Sequence, residues 1–246
     1  MLNKSEAKYI QSLSQKKFRL KEGLYVIEGP KIVGEALVCA GATIKKIYAL
    51  KDWADHNLPL TGNRPVEVVL NSDLERISQL KTPNEVLALV QLRGSENFVF
   101  QKDRPALALD GIRDPGNLGT IIRIADWFGI KQVICSEDCA DIYNSKVVQA
   151  TMGSIFRVQT FYTCLSSWLA RQQGVKIYGA ALDGNPLKQY HKINSGIIVI
   201  GNESKGIRED VMPVINEKIT IERLGSAESL NAAVATGIIL SHVLSV

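Results

Sequence analysis

The chain has 246 residues, of which 46% are hydrophobic and 22% charged, with a formal net charge of +4. That length allows one large domain or two small ones and lets roughly 70–75% of the unfolded surface be buried. The composition is that of a soluble globular protein: no apolar run is long enough to span a bilayer, and the N-terminal "MLNKSEAKYIQ" lacks the apolar core of a secretory signal.

In chain order, the first segment is basic. Lys4, Lys8, Lys16, Lys17, Arg19 and Lys21 stand against only Glu6 and Glu22, and Lys31, Lys45, Lys46 and Lys51 follow. A solvated helix face explains this pattern, and so does a polyanion partner such as nucleic acid. The runs "LYVIE" (24–28), "IKKIYAL" (44–50), "VEVVL" (66–70) and "VLALVQL" (86–92) read as strands, with helical stretches at 30–40 and 71–80. Asn71, Ser72 or Asp73 would cap the second helix. The polar stretch "RGSENFVFQKDRP" (93–105) then marks a domain boundary. This gives a first domain over 1–95, a linker over 96–104 and a second domain over 105–246.

In the second domain, strand-like runs resume with "ALALD" (106–110), "KQVICS" (131–136), "VKIYGAAL" (175–182), "GIIVIG" (196–201) and "KITIE" (218–222). Several are apolar without alternation, so both faces are covered, which predicts a mostly parallel α/β sheet. Cys39, Cys135, Cys139 and Cys164 form no Cys-x-x-Cys pair, and His56, His191 and His242 are scattered. Buried free thiols in a reducing cytoplasm are the expectation, with no metal site.

The stretch "DGIRDPGNLGTIIRIADWFG" (110–129) runs a Gly-Pro-Asn loop into an apolar helix containing one arginine. Asn117 is a good cap for a helix starting at Leu118. Leu118, Ile121, Ile122 and Ala125 then share the core face, leaving Gly116, Gly119, Thr120 and Arg123 on the other. Small residues beside a cation, at a helix N-terminus, leave room for a ligand. The competing reading pairs Arg123 with Asp126, which is weak at a surface and leaves the Pro-Gly-Asn turn unexplained. No Walker phosphate loop, dinucleotide glycine fingerprint, nucleophile elbow or zinc-protease helix is present.

Two more strand-end loops follow. In "IVIGNESKGI" (198–207), a strand ends at Gly201 and a polar turn holds Asn202, Glu203, Ser204 and Gly206. In "ITIERLGSAESLNAAVATGIIL" (219–240), a strand ends near Ile221 and a small-residue helix opens at Ser229 or Asn231 and is buried on nearly every side. Open α/β sheets bind ligands at the carboxyl ends of strands, where Asn117, Glu203, Asn231 and Arg123 would all lie.

These three stretches, with "SKVVQATMGSIFRV" (145–158) between them, resemble the ordered motifs of the SpoU (TrmH-type) RNA ribose methyltransferases of the SPOUT superfamily. The N-terminal "KKFRLKEGLYVIEGPKIVGEAL" (16–37) and "KTPNEVLALVQL" (81–92) resemble that family's accessory RNA-binding domain, a small α/β sandwich of the ribosomal-protein type. The resemblance implies methyl transfer from S-adenosylmethionine to a ribose 2′-hydroxyl. It also implies a deep trefoil knot at about 196–240, although knots are very rare in general, and a homodimer that packs helix 229–244. Gly201, Ile221 and Leu230 match the cofactor's backbone contacts, and Asn117, Arg123, Glu203, Ser229 and Asn231 match the family's functional polar positions. The accessory domain points to ribosomal RNA before transfer RNA, and the reading from another class is a non-catalytic RNA-binding protein that kept the fold. The chain departs from the family in Glu222, Arg223 and Leu224, where Ile-Pro commonly ends the strand, and in Ile124, where a threonine is common. The basic cluster before the boundary should supply phosphate affinity, and residues from about 100 onward cofactor binding.

Overall fold

The computed structural model describes residues 2–94, 98–190 and 192–244; His191 and the start of the predicted linker at Glu96 and Asn97 lie outside them. The chain divides into two compact units, one of residues 1–94 with 143–157 and the other of 95–142 with 158–246. The first 94 residues thus form one unit, but the unit also takes fifteen residues that the sequence reading places in the second domain.

The first unit begins with helices α1 (Lys4–Ser12) and α2 (Lys16–Glu22), then strand β1 (Leu24–Glu28), α3 (Pro30–Val38), β2 (Ile44–Ala49), α4 (Lys51–Thr61), β3 (Val66–Val68), α5 (Asn71–Ile77) and β4 (Val86–Gln91). Its sheet has the order β1-β4-β2-β3. β4 runs antiparallel to both β1 and β2, and β3 lies parallel to β2 at the edge. As the central strand, β4 is covered on both faces and is apolar along most of its length, with Val86 to Val90 buried. Ile10, Leu13, Leu74 and Ile77 from the helices close one core against Tyr48 and Leu87. The cap of α5 falls one residue earlier than its sequence predicts: Leu70 is the N-cap, because Asp73 reaches back to the Leu70 N–H. Helix α7 (Ser145–Thr151) packs in this unit, where Gln149 donates to the Glu28 carbonyl and Arg157 pairs with Glu35 at 2.6 Å.

The second unit runs β5 (Pro105–Asp110), α6 (Pro115–Trp127), β6 (Gln132–Ser136), β7 (Gln159–Thr163), α8 (Leu165–Ala170), β8 (Ile177–Pro186), β9 (Gly196–Gly201), β10 (Glu217–Thr220) and α9 (Ala232–Leu244). The order is β10-β8-β9-β5-β6-β7, and every neighbouring pair is parallel. A parallel sheet buried on both faces needs continuous apolar strands, which β5, β6 and β9 are. Ala106, Ala108, Ile134, Ile197 and Val199 pack with Leu165 and Trp168 of α8. The order places β5 and β9 side by side at the centre, in register from Pro105–Gly196 to Asp110–Gly201. Their carboxyl ends therefore deliver the loop before α6 and the loop after Gly201 to the same edge.

Of the four cysteines, Cys135 and Cys139 are buried, Cys39 is half-buried and Cys164 exposed, so burial applies to two of them. Helix α9 is likewise less enclosed than its composition predicts. Ala232, Ala233, Thr236, Ile239, Leu240 and Val243 are buried, but Val234 and Ile238, one turn apart, are exposed.

Candidate active site

The helix carrying Arg123 starts earlier than its sequence predicts. Asp114, not Asn117, is the N-cap; its side chain accepts the Asn117 N–H at 2.8 Å, and Pro115 occupies the first helical position. Proline suits that position because its missing N–H is not needed there and its φ is already helical. Release from capping frees the Asn117 side chain for other partners. Leu118, Ile121, Ile122 and Ala125 are fully buried, whereas Gly116, Thr120 and Arg123 are exposed. Gly119 belongs with the buried set, contrary to its predicted place on the open face. Arg123 forms no ion pair or hydrogen bond with any described residue, so the pairing with Asp126 is not what holds it.

The loop after β9 folds back on itself. Asn202 and Gly206 exchange two backbone hydrogen bonds of 3.0 and 2.8 Å. A Cβ on Gly201 would stand 2.2 Å from the Gly206 carbonyl carbon, so only glycine fits the strand end. Asn202 accepts the Ser204 and Lys205 N–H groups on its Oδ1 and donates from Nδ2 to the Gly111 carbonyl at 2.9 Å. This fold-back presents Glu203 towards α6.

There the polar residues meet. Asn117 Nδ2 donates to Glu203 Oε1 at 2.5 Å, and Asn231 Nδ2 donates to Asn117 Oδ1 at 2.9 Å. Asn202 Nδ2 supplies the other Glu203 oxygen at 3.3 Å. Asn231 is also the cap of α9, its Oδ1 accepting the Ala233 and Val234 N–H groups. Three loops separated by up to 114 residues are thus tied through one amide, Asn117. Both Glu203 oxygens accept hydrogen bonds, which suits an ionised carboxylate.

Behind this relay lies a charged cluster that the sequence reading did not single out. Asp110, the last residue of β5, is fully buried. It accepts the Arg208 N–H at 2.7 Å, and the Arg208 Nε lies 2.6 Å from its other oxygen, close in charge but poorly aligned as a hydrogen bond. Burial pushes the Asp110 carboxyl up, against the pull of Arg208. Asp138 receives Arg113 Nη2 and Ser136 Oγ, each at 2.7 Å. Partial burial works to raise Asp138, but these two donors and Arg208 outweigh it and hold the carboxyl below its usual range. Nearby, the hydrogen bond from Cys135 leads the causes that bring the Cys139 thiol down to about 7. Asn202 was legible only as part of a polar turn. Asp110 ends an otherwise apolar strand, and a buried-strand carboxylate was the one signal available for this cluster.

A cavity of about 890 Å³ opens at the carboxyl ends of β8, β9 and β10. Gly201, Ile221 and Leu230, the three predicted cofactor contacts, all line it, as do Glu203 and Ser229. Asn117 joins it through Glu203 and Asn231 through Asn117, and Arg123 does not touch the cavity or the relay within this chain. Ser229 and Leu230 lie on an exposed loop, 222–230, and β10 ends at Thr220 before Ile221. The lining mixes apolar Ile200, Ile207 and Ile219 with charged Glu203, Asp183 and Arg223, which suits a ligand with both apolar and polar parts.

Residues 104–241 match the SpoU rRNA methylase family, and residues 4–88 match the MRM3-like substrate binding domain. The chain is 30% identical over 238 residues to a 23S rRNA guanosine 2′-O-methyltransferase, RlmP, from Bacillus subtilis, covering 95% of this chain and 93% of that one. Among solved structures, a TrmH-family protein from Porphyromonas gingivalis superposes with a TM-score of 0.88 at 36% identity, covering 98% of both chains. An AdoMet-bound rRNA methyltransferase from Sinorhizobium meliloti superposes at 0.86 with 29% identity, covering 98% of this chain and 95% of that one.

Proposed function

We propose that this chain, which belongs to the SpoU rRNA methylase family, transfers a methyl group from S-adenosylmethionine to a ribose 2′-hydroxyl of ribosomal RNA. The observation that carries the reading is the Glu203–Asn117–Asn231 relay beside the cavity lined by Gly201, Ile221 and Leu230. The cofactor supplies an electrophilic methyl carbon on a sulfonium. The fold-back at Gly201 fits it: Gly201 to Gly206 line the cavity, and a Cβ at Gly201 would collide with the Gly206–Ile207 backbone and open the turn.

The chain's own residues do the rest. Asn117 and Asn202 fix the Glu203 carboxylate at the cavity edge, and Asn231 in turn holds the Asn117 amide. Transfer to a hydroxyl is an in-line displacement, so holding the oxygen on the correct axis is a large part of the acceleration. Arg123 presents a planar fork from a helix anchored by five buried residues. It grips a phosphate beside the target ribose and stabilises the developing alkoxide. A guanidinium holds its proton too tightly to serve as a base near neutral pH, so Arg123 acts as a cation. The hydroxyl proton leaves to that phosphate, to water or to Glu203, whose two oxygens each keep a lone pair beside the amide donor they accept.

The assembled enzyme is read as a homodimer. Val234 and Ile238 form an exposed apolar stripe on α9, and Trp127 at the end of α6 is 84% exposed; a second copy covering them would bring Arg123 to a complete site. The path from 196 to 240 is read as a deep trefoil knot, which would make the cofactor loops rigid. The substrate is ribosomal RNA, as for the Bacillus subtilis relative, with transfer RNA as the alternative. Radiolabelled methyl transfer to RNA from a strain lacking this protein, followed by mapping of 2′-O-methyl sites, tests this. Restoration of one ribosomal site is the expected result. Methylation of transfer RNA alone would move the substrate, and cofactor binding without transfer to any RNA would favour the non-catalytic reading.

A further inference from the structure

We infer that Asp110 and Arg208, backed by Asp138 and Arg113, form a positioning clasp that sets the spacing between the loop before α6 and the loop after β9, and through it the contact of Asn117 with Glu203. The inference rests on the functional reading above, but its structural half can be tested without activity. None of the four residues lines the cavity or touches the relay, so any effect on transfer must pass through residues that do.

The geometry is that of a two-point hold. Asp110 binds the same residue twice, by the Arg208 N–H at 2.7 Å and by its guanidinium. Fixing both backbone and side chain of residue 208 fixes the exit of the fold-back that carries Glu203. The entry is fixed separately: Asn202 Nδ2 holds the Gly111 carbonyl, while the Gly111 N–H is held by Ser136 Oγ at 2.8 Å. Gly111 itself has φ +70°, which glycine alone adopts without strain. Ser136 in turn donates to Asp138, which also takes Arg113 and, at 3.5 Å, Arg208. The ends of β5, β6 and β9 are therefore cross-tied before α6 begins. A buried carboxylate is costly to keep, and an apolar pair of the same volume often serves stability as well. Its charge is explained if what it provides is the setting of one loop against another.

The test uses full-length protein and the variants Arg208→Met, Arg208→Lys and Asp138→Asn, with Asp110→Asn added where it folds. Hydrogen–deuterium exchange is the first readout. Arg208→Met should raise exchange of residues 202–207 at least tenfold, and leave β10 at 217–220 unchanged; Arg208→Lys should give partial rescue. Unchanged exchange at 202–207 overturns the clasp whatever the enzyme does. The second readout is single-turnover methyl transfer to the mapped RNA in a double-mutant cycle with Glu203→Gln. Arg208→Met should slow transfer by about ten- to a hundredfold with S-adenosylmethionine and RNA dissociation constants changed less than about threefold. The same substitution should cost less than about threefold in the Glu203→Gln background. Equal losses in both backgrounds would show that Arg208 acts elsewhere and overturn the inference. If the unmodified protein transfers no methyl yet the exchange result holds, the clasp stands and the functional reading falls.

Discussion

Asn231 has two roles that substitution can separate. Its Oδ1 caps α9 through the Ala233 and Val234 N–H groups, at 2.9 and 3.2 Å, and its Nδ2 donates to Asn117 at 2.9 Å. Loss of a helix cap costs about 1 kcal/mol, and Asn231 is exposed, so water limits the damage. For a chain of this size such a loss lowers Tm by roughly 2–4 °C. Asn231→Ala should show that shift and slow methyl transfer by about tenfold, the equivalent of one lost hydrogen bond of roughly 1.4 kcal/mol. Asn231→Asp keeps a capping oxygen and adds an anion at the positive end of α9, so its Tm should hold within about one degree. Its second oxygen, however, faces Asn117 Oδ1. Asn117 must then flip its amide, and after the flip its NH2 group no longer meets Glu203. Transfer should fall by at least about a hundredfold, the scale of losing one preorganised donor. Calorimetric unfolding, cofactor titration and single-turnover transfer measure the three quantities side by side. A wild-type rate for Asn231→Asp would refute the relay, and a rate that tracks Tm in both variants would reduce Asn231 to a cap.

Gly201→Ala should weaken S-adenosylmethionine binding by at least about a hundredfold by titration calorimetry, because its Cβ would overlap the Gly206 carbonyl carbon and open the fold-back. Arg123→Ala should leave cofactor affinity within about twofold and cut transfer by at least about a hundredfold, with Arg123→Lys rescuing little; near-normal transfer would remove the residue from the site. Glu6 accepts hydrogen bonds from Lys46 and Tyr48 that depress its carboxyl, so the folded form binds its proton less readily than the unfolded chain. Its contribution is present above the ordinary carboxylate range and is lost as pH falls through it; Glu6→Gln should therefore flatten the acid limb of stability, measured by urea unfolding between about pH 3 and 6. A fragment starting at residue 98 keeps the cavity but leaves Val147, Val148 and Phe156, buried in the first unit, without their partners. It should bind the cofactor yet be cleaved at 143–157 in limited proteolysis, and should lose the steep salt dependence of RNA binding that the basic first unit supplies.

Periodicity made the central helix legible: Leu118, Ile121, Ile122 and Ala125 recur at helical spacing and are all fully buried. Its start was less so, since Asp114 and Asn117 are both good caps and only Pro115 at the first helical position decides between them. The three strand-end loops could be placed because an apolar parallel strand must stop where its polar residues begin. Strand β7, "QTFYT", was missed: it is a half-buried edge strand without a continuous apolar run. The attachment of residues 143–157 to the first unit left no local signal, because a helix pattern reports which face is buried and not what buries it. The clasp was hidden for a related reason. Asp110 and Arg208 lie 98 residues apart, and although Asp110 stands out at the end of an apolar strand, Arg208 alone reads as an ordinary surface charge and nothing local pairs the two.

The departure at the third loop can also be read physically. Where the family commonly has Ile-Pro, a proline would fix φ as the chain leaves the strand. Here Glu222 pairs with Lys188 at 2.7 Å, and Arg223 donates to the Ala227 carbonyl at 3.3 Å. Both pairings are exposed, and an exposed ion pair restrains a chain far less than a pyrrolidine ring does. Ile221 nevertheless lines the cavity, as does Leu230 at the far end of the loop. The two ends are therefore held, one by β10 and the other by Asn231, while the middle is restrained only by surface charge. The departure leaves Ile221 on the cavity wall and moves the adaptability of the cavity to 222–228, where Leu224 is fully exposed. A loop so built can close over a ligand at its apolar residues without disturbing the Asn117 relay, because Asn231 is anchored by α9 and not by the loop that precedes it.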